Sequence, residues 1–259
     1  MARSPLAALS ILSVPVHDVT YAETLDVLGE FIASGKPHQV CTVNPEFVMK
    51  ARENPAFGAV LRGADLCLPD GVGLLWAAKL KGHRLRERVA GSTLMYPLAE
   101  RAAQAGWRVF YLGAAPGIAT KTAAILQARY PSLQVAGTYS GDDSPAESEK
   151  IIRLVHESRA DVLLVAFGNP KQDFWIARYA QRLAVPVMVG VGGSFDFVAG
   201  VAKRAPLGWQ KLGLEWLHRL LNEPKRWRRM LALPRFAWAV ALERNSVVEW
   251  KDAVKKFSS

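Results

Sequence analysis

Polar and charged residues that could do chemistry follow several apolar segments that the sequence predicts to be buried strands. The clearest case is the segment 167–175, in which Gly168, Lys171 and Gln172 come soon after the apolar run 161–166. Phosphates bind at the carboxyl edge of open α/β sheets, because backbone N–H groups and helix N-termini point there. Lys171 could meet a phosphate or a neighbouring carboxylate, and an ordinary loop without a ligand is the alternative.

A carboxylate stands at another of these predicted strand ends. Asp70 follows the short apolar strand 65–69 and precedes Gly71 and Gly73, which let the backbone approach a ligand closely. Such a carboxylate could act as a general base that takes a proton from a reacting hydroxyl group. Asp70 could instead cap the helix that follows it.

Three further predicted strands also end in residues that could contact a ligand at this edge of the sheet. Thr42 and Asn44 close the predicted strand 40–43, and their alternate spacing sends both side chains to one face. Glycine-rich exits follow two other strands and contain Gly113, Gly192, Gly193 and Asp196. Four such loops in one sheet favour a shared cleft. The exit at Gly113 lacks the G-x-G-x-x-G fingerprint, which argues against an NAD-dependent oxidoreductase.

The elements that must position these groups alternate along the chain. Strands are predicted at 40–43, 65–69, 108–113, 133–138, 161–166 and 185–191. Helices are predicted at 45–61, 73–81, 92–105, 116–130 and 146–158, and from the exit of strand 161–166 to about 183. Strands that alternate with helices of this length predict an α/β fold, with a Rossmann-like, mainly parallel sheet flanked by helices.

The distribution of charge suggests two parts, a core at 1–200 and a basic, amphipathic, helical C-terminal appendage at 201–259. The appendage carries thirteen Lys and Arg but five Asp and Glu, whereas the first two hundred residues carry twenty and eighteen. Most of the net charge of +10 therefore belongs to the appendage. With only two cysteines in 259 residues, the composition favours a reduced, cytoplasmic protein over a disulfide scaffold.

The appendage has apolar residues at helical spacing beside its cations, among them Trp209, Leu212, Trp216, Leu217 and Leu220. Tryptophan and arginine on an amphipathic helix suit an anionic membrane surface. Packing of the helix on its own core is the alternative, and the stripe would also allow a homo-oligomer. A nucleic-acid partner is disfavoured, because no recognised nucleic-acid-binding module accompanies the charge.

Taken in order, these motifs resemble those of the WecG/TagA/CpsF glycosyltransferases of bacterial surface-polysaccharide and teichoic acid synthesis. The resemblance runs from about residue 11 to 242 and rests on segments 42–46, 64–73, 110–113, 168–175, 190–196, 204–206, 213–220 and 223–226, with Arg88. The sequence departs from the family pattern at Asp173, where glutamate is expected, and at His218, where an aromatic residue is common.

The resemblance implies an inverting glycosyltransferase that needs neither metal nor cofactor and works at the inner face of the cytoplasmic membrane. It would move N-acetylmannosamine, its uronic acid or glucose from a UDP-sugar to a polyprenyl-diphosphate-linked saccharide. By the same resemblance Asp70 is the general base and Arg88 opposes charge on the leaving diphosphate, while Thr42, Asn44 and Gln172 line the pocket. Thr42 and Gln172 would contact sugar hydroxyls. The residues expected to hold the donor are Gly113, Gly168, Lys171, Gly192, Gly193, Asp196, Arg204, Arg219, Arg226 and Arg229.

The chemistry of the chain agrees with that implication. Many sugar transferases neutralise the leaving diphosphate with a divalent ion held by an Asp-x-Asp triplet, and this chain has none. The charge must then be met by arginine, lysine and helix N-termini. A non-catalytic module that binds a nucleotide-sugar or a lipid diphosphate is the alternative, and Asp70 separates the two because a binding module needs no base.

Overall fold

The computed structural model describes residues 6–202, 205–206, 208–209, 215–222 and 227–250. The strands are β1 Ala8–Ile11, β2 Val14–His17, β3 His38–Val43, β4 Leu66–Pro69, β5 Arg108–Gly113, β6 Gln134–Tyr139, β7 Val162–Ala166, β8 Val187–Gly190 and β9 Val247–Glu249. The helices are α1 Tyr21–Ser34, α2 Pro45–Glu53, α3 Pro55–Gly63, α4 Val72–Leu80, α5 Gly91–Ala105, α6 Ile118–Arg129, α7 Pro145–Ser158, α8 Lys171–Leu183, α9 Ser194–Val198, α10 Glu215–Asn222, α11 Trp227–Met230 and α12 Ala232–Leu242.

Six strands form an all-parallel sheet in the order β4-β3-β8-β7-β5-β6, with helices packed on both faces. The central strand β7 is buried on both sides. Val162 and Leu164 belong to one apolar layer, while Leu163 and Val165 belong to the opposite one. Burial on both faces explains why this strand reads as a continuous apolar run in the sequence. The prediction of a Rossmann-like, mainly parallel sheet is confirmed.

A second, antiparallel sheet of three strands, in the order β2-β1-β9, was not predicted from the sequence. Leu9 lies opposite Glu249, so the sheet joins the first described strand to the last. Helix α12 packs on α2 and α4 through the buried side chains of Phe236 and Val240. Part of the C-terminal segment is therefore built into the apolar core.

One predicted helix is two helices in the structure. The sequence predicts a single helix at 45–61, but α2 ends at Glu53 and α3 begins at Pro55. Asn54 lies between them with an extended backbone, and its side chain accepts hydrogen bonds from the backbone N–H groups of Ala56 and Phe57. An asparagine cap followed by proline at the first helical position begins a new helix.

The loops at the carboxyl edge of the sheet are held close together. Gly113, at the end of β5, has a φ of +96°, which favours glycine. A Cβ atom at this position would lie 3.0 Å from the carbonyl oxygen of Ala166, the last residue of β7. Glycine therefore lets the exits of β5 and β7 approach each other closely.

Candidate active site

The carboxyl ends of β3, β4, β7 and β8 open into one cleft of about 570 Å³. Sites for small molecules have volumes in this range and lie at this edge of α/β sheets. The C-terminal segment completes the wall with Trp216 and His218 of α10, and with Arg229 and Met230 of α11. The cleft therefore lies between the sheet and the C-terminal segment.

Most of the residues predicted to share a site line this cleft. They are Thr42, Asn44, Asp70, Arg88, Gly168, Gln172, Gly192, Gly193, Asp196 and Arg229. Gly113 and Lys171 do not line it. Lys171 is mostly exposed, and its Nζ lies 3.0 Å from a carboxylate oxygen of Asp143. Of the two partners considered for Lys171, a phosphate or a neighbouring carboxylate, the structure shows the carboxylate. Arg204 and Arg226 lie outside the described residues, and of Arg219 only its position on α10 is described.

Asp70 lies at the N-terminus of a helix. One of its carboxylate oxygens, Oδ2, accepts a hydrogen bond of 3.2 Å from the backbone N–H of Gly91, the first residue of α5. A helix N-terminus stabilises a nearby carboxylate anion. Asp70 does not cap the helix that follows it, because the N-cap of α4 is Gly71. The carboxylate is thus held within the cleft wall, as a general base requires.

The side chains of Thr42 and Gln172 form hydrogen bonds with the backbone that lines the cleft. The Thr42 hydroxyl donates a 3.0 Å hydrogen bond to the carbonyl oxygen of Gly190 and so ties β3 to β8. The Gln172 Oε1 accepts a 2.9 Å hydrogen bond from the backbone N–H of Gly192. Both side chains are buried. Their contact with sugar hydroxyls stays a prediction, whereas their role in shaping the loop after β8 is visible in the structure.

Asn44 combines a place in the cleft wall with a structural task. Its Oδ1 accepts a 3.1 Å hydrogen bond from the backbone N–H of Phe47 and so caps α2. The cap fixes the start of α2 at the cleft, where Glu46 occupies the first turn of that helix.

Both described arginines of the cleft form ion pairs that cross from the core to the C-terminal segment. The Nη1 of Arg88 lies 2.6 Å from Oε2 of Glu215 on α10. In the second pair the cation belongs to the C-terminal segment and the anion to the core. Arg229 donates from Nε and Nη2 to the two carboxylate oxygens of Glu46, each at 2.9 Å. Although burial opposes its ionisation, the ion pairs with Arg229 and Lys50 hold the pKa of Glu46 below its usual value.

Three polar side chains of this wall were not among the site residues predicted from the sequence. Glu46 and Glu215 are the carboxylate partners of the arginines. Asn169 lines the cleft, and within the described residues neither atom of its buried side-chain amide has a hydrogen-bond partner. Asn169 follows the same strand as Gln172, so the polar residues after this strand could have indicated that Asn169 belongs to the site. Nothing in the sequence indicates that Arg88 pairs with Glu215.

The helix N-termini at the cleft favour an anionic group, although the lining carries the carboxylates of Glu46, Asp70, Asp196 and Glu215 as well as Arg88 and Arg229. Helices α4, α5 and α8 begin there, and within the described part of the chain no side chain of their N-cap residues provides a cap. The partial positive charge of such termini attracts phosphate. Among the described residues, no group of three or more His, Cys, Asp and Glu side chains is arranged to hold a metal ion.

A buried acid lies directly behind the cleft. Asp173 follows Gln172 on α8 and is fully buried, and within the described residues neither of its carboxylate oxygens has a hydrogen-bond partner. The Cys41 thiol lies close enough to interact electrostatically but outside hydrogen-bonding geometry. Burial raises the pKa of Asp173 to about 7, because an uncompensated charge is costly in the protein interior.

We expect Asp173→Asn to change how stability depends on pH. In an unfolded chain the pKa of aspartic acid is about 3.9, so between this pH and about 7 only the folded protein retains the proton. The contribution of Asp173 to the free energy of unfolding is therefore intact below about pH 4 and falls as the pH rises to about 7, by at most about 4 kcal/mol.

The asparagine side chain cannot ionise, so the variant should gain stability relative to the wild type as the pH is raised. Urea unfolding of both proteins on the acidic and alkaline sides of neutrality measures this difference. Asp26→Asn, at an exposed ion pair with Arg101, is the control and should follow the wild type. A difference between Asp173→Asn and the wild type that is independent of pH would contradict the expectation.

Comparison with known proteins matches most of the chain to a family of glycosyltransferases. The model of the glycosyl transferase WecG/TagA/CpsF family matches residues 9–248. A Bacillus spizizenii protein named N-acetylglucosaminyldiphosphoundecaprenol N-acetyl-beta-D-mannosaminyltransferase is 39% identical over 210 residues, 81% of this chain and 81% of the relative. A Bacillus subtilis protein of the same name is 33% identical over 237 residues, 89% of this chain and 92% of the relative. The region matched by the family model contains every residue that lines the cleft.

Proposed function

Because this chain belongs to the WecG/TagA/CpsF family of glycosyltransferases, we propose that it moves an N-acetylmannosamine-type sugar from a UDP-sugar to a polyprenyl-diphosphate-linked saccharide. Two relatives named as N-acetylmannosaminyltransferases of a diphosphoundecaprenol-linked N-acetylglucosamine support this choice of donor and acceptor. The observation that carries the proposal is the Asp70 carboxylate in the same cleft as Arg88 and Arg229. A base and diphosphate-binding cations are the two requirements of the reaction.

The proposed reaction is a single displacement. The acceptor hydroxyl attacks the anomeric carbon of the donor while Asp70 takes the hydroxyl proton, and the new glycosidic C–O bond forms as the bond to the UDP oxygen breaks. Attack from the face opposite UDP inverts the configuration at the anomeric carbon. UDP leaves with the bonding electron pair, and the proton on Asp70 passes to solvent. A positioned base contributes about 10²–10⁴-fold to such a rate.

The developing charge on UDP must be stabilised as the bond breaks. We assign this task to Arg88, to Arg229 and to the N-termini of the helices that begin at the cleft. Arginine forms charge-assisted hydrogen bonds with phosphate oxygens, and preorganised donors of this kind lower the barrier to charge development. We propose on this basis that the reaction needs no metal ion.

The acceptor is lipid-linked, so the enzyme must work beside a bilayer. In the described part of the chain, no helix is long and apolar enough to cross a membrane. Four large apolar side chains on α11, α12 and the turn between them are exposed, at Trp227, Leu231, Trp238 and Leu242. Trp238 and Leu242 are four residues apart and lie on one face of α12, while Trp227 and Leu231 lie just before that helix. Together with the basic charge of the segment, this face suits the anionic inner surface of the cytoplasmic membrane.

UDP release from a panel of UDP-sugars, with and without a polyprenyl-diphosphate-linked N-acetylglucosamine acceptor, tests the proposal. We expect acceptor-dependent release with UDP-N-acetylmannosamine above UDP-glucose and UDP-N-acetylmannosaminuronic acid, and no loss of rate on addition of EDTA. UDP binding without release from any donor would favour the non-catalytic module. A folded protein that binds no UDP would overturn both hypotheses, and a rate abolished by EDTA would overturn the metal-independent mechanism.

A further inference from the structure

The backbone around Arg88 is fixed by the core. The N–H of Val89 donates a 3.0 Å hydrogen bond to the carbonyl oxygen of Pro69, the residue before Asp70. The N–H of Ala90 donates to the hydroxyl of Tyr21 on α1 at 2.8 Å. These bonds place the Cα of Arg88 beside the proposed base, but they do not fix its guanidinium group, which lies at the end of a long side chain with high rotamer entropy.

The guanidinium is fixed from the other side of the cleft. Its Nη1 lies 2.6 Å from the carboxylate of Glu215, the first residue of α10. Both side chains line the cleft, and only 22% of the Arg88 side chain and 27% of the Glu215 side chain are exposed. Ion pairs shielded from solvent to this extent are screened less by salt than surface pairs. A guanidinium has five N–H donors, and a carboxylate engages at most two of them in a bidentate pair. Donors therefore remain for an anionic ligand.

We infer that Glu215 is a positioning residue, which orients Arg88 for the donor diphosphate. The inference rests on the proposed function and adds a part to it. The C-terminal segment contributes an anion that aligns a cation of the core, in addition to the cation Arg229 that it contributes directly. Because Glu215 belongs to α10, Arg88 is aligned only when α10 lies against the cleft. Such preorganisation increases affinity because less side-chain freedom is lost on binding.

Affinity for UDP, measured by calorimetry on the full chain, tests this role. Glu215→Gln keeps the shape of the side chain and removes its charge, and we expect it to weaken UDP binding about tenfold, within the range of coupling energies between contacting residues. Glu215→Asp should recover part of the loss because the charge returns. Glu149→Gln, which breaks an exposed ion pair with Arg182 in the same way, is the matched control and should leave UDP affinity unchanged.

A double-mutant cycle separates positioning from a purely structural role. In an Arg88→Gln background, Glu215→Gln should cause almost no further loss of UDP affinity, because the residue it aligns is gone. An equal loss in both backgrounds would overturn the inference. Tighter UDP binding by Glu215→Gln would also overturn it, since Glu215 would then compete with the diphosphate for Arg88. A wild-type protein that binds no UDP would overturn the proposed function together with the inference, whereas unchanged binding by Glu215→Gln would overturn the inference alone.

Discussion

Replacement of Asp70 by asparagine is expected to lower kcat by about 10²–10⁴-fold while UDP affinity stays unchanged. Asparagine has nearly the shape of aspartate, and its Oδ1 can still accept the hydrogen bond from the N–H of Gly91. It cannot take a proton from the acceptor hydroxyl at neutral pH. The loss should therefore appear in the chemical step, which single-turnover transfer to a lipid-linked acceptor measures.

Two companion measurements make the expected result for Asp70 specific. Calorimetry with UDP reports whether the cleft survives the substitution, and a parallel loss of UDP binding would assign Asp70 a structural role instead. Asp26→Asn, on the surface beside Arg101, is the matched control and should keep full activity. Retention of more than about a tenth of wild-type kcat by Asp70→Asn would contradict its role as the base.

The carboxyl edge of the sheet was predictable because the strands that form it are buried on both faces. The predicted strand 108–113 coincides with β5, and the strand predicted at 161–166 differs from β7 by one residue. Apolar runs of this kind end where glycine, proline and polar residues begin, so the position of Asp70 could be deduced from its neighbours alone. Parallel pairing then brings such ends to one edge.

Partners that are distant in the sequence could not be predicted from local patterns. Strand β1 pairs with β9, whose residue Glu249 lies opposite Leu9. Three-residue strands such as β9 carry little periodicity, and only the tertiary fold decides their pairing. The ion pair between Arg88 and Glu215 was hidden for the same reason, because two charged residues far apart in a chain have no sequence pattern in common.

The pairing of β9 also changes how the C-terminal segment can be tested. Deletion from about Val201 would remove β9 and would take the buried Phe236 and Val240 out of the core. Loss of two large core side chains typically destabilises a protein by several kcal/mol. A truncated chain that fails to act would therefore report unfolding as readily as loss of a membrane contact, and point substitutions on the exposed face are the sharper experiment.

Simultaneous replacement of Trp227 and Trp238 by serine is expected to weaken binding to anionic vesicles by about 100-fold or more, because each buried aromatic side chain contributes roughly 1.5–3 kcal/mol. The two side chains are 54% and 69% exposed, and UDP affinity and urea unfolding of the variant check that the cleft and the fold survive their loss. Co-sedimentation with vesicles of phosphatidylglycerol measures the binding. Vesicles of phosphatidylcholine report how much of it depends on the basic charge of the segment.

Substitution of Trp76 on α4 tests how far the proposed membrane-facing surface extends. Helix α4 packs beside α12, and the Nζ of Lys81, the residue that follows α4, donates to the carbonyl oxygen of Ala241 on α12. Trp76 is 65% exposed. A further loss of vesicle binding on Trp76→Ser would extend the surface to the core, and no further loss would confine it to α11 and α12.

Unchanged vesicle binding by the Trp227→Ser, Trp238→Ser protein would refute the membrane role of this face. Sedimentation velocity without lipid would then test the remaining occupant, because a second copy of the chain held by the same tryptophans would dissociate in that variant.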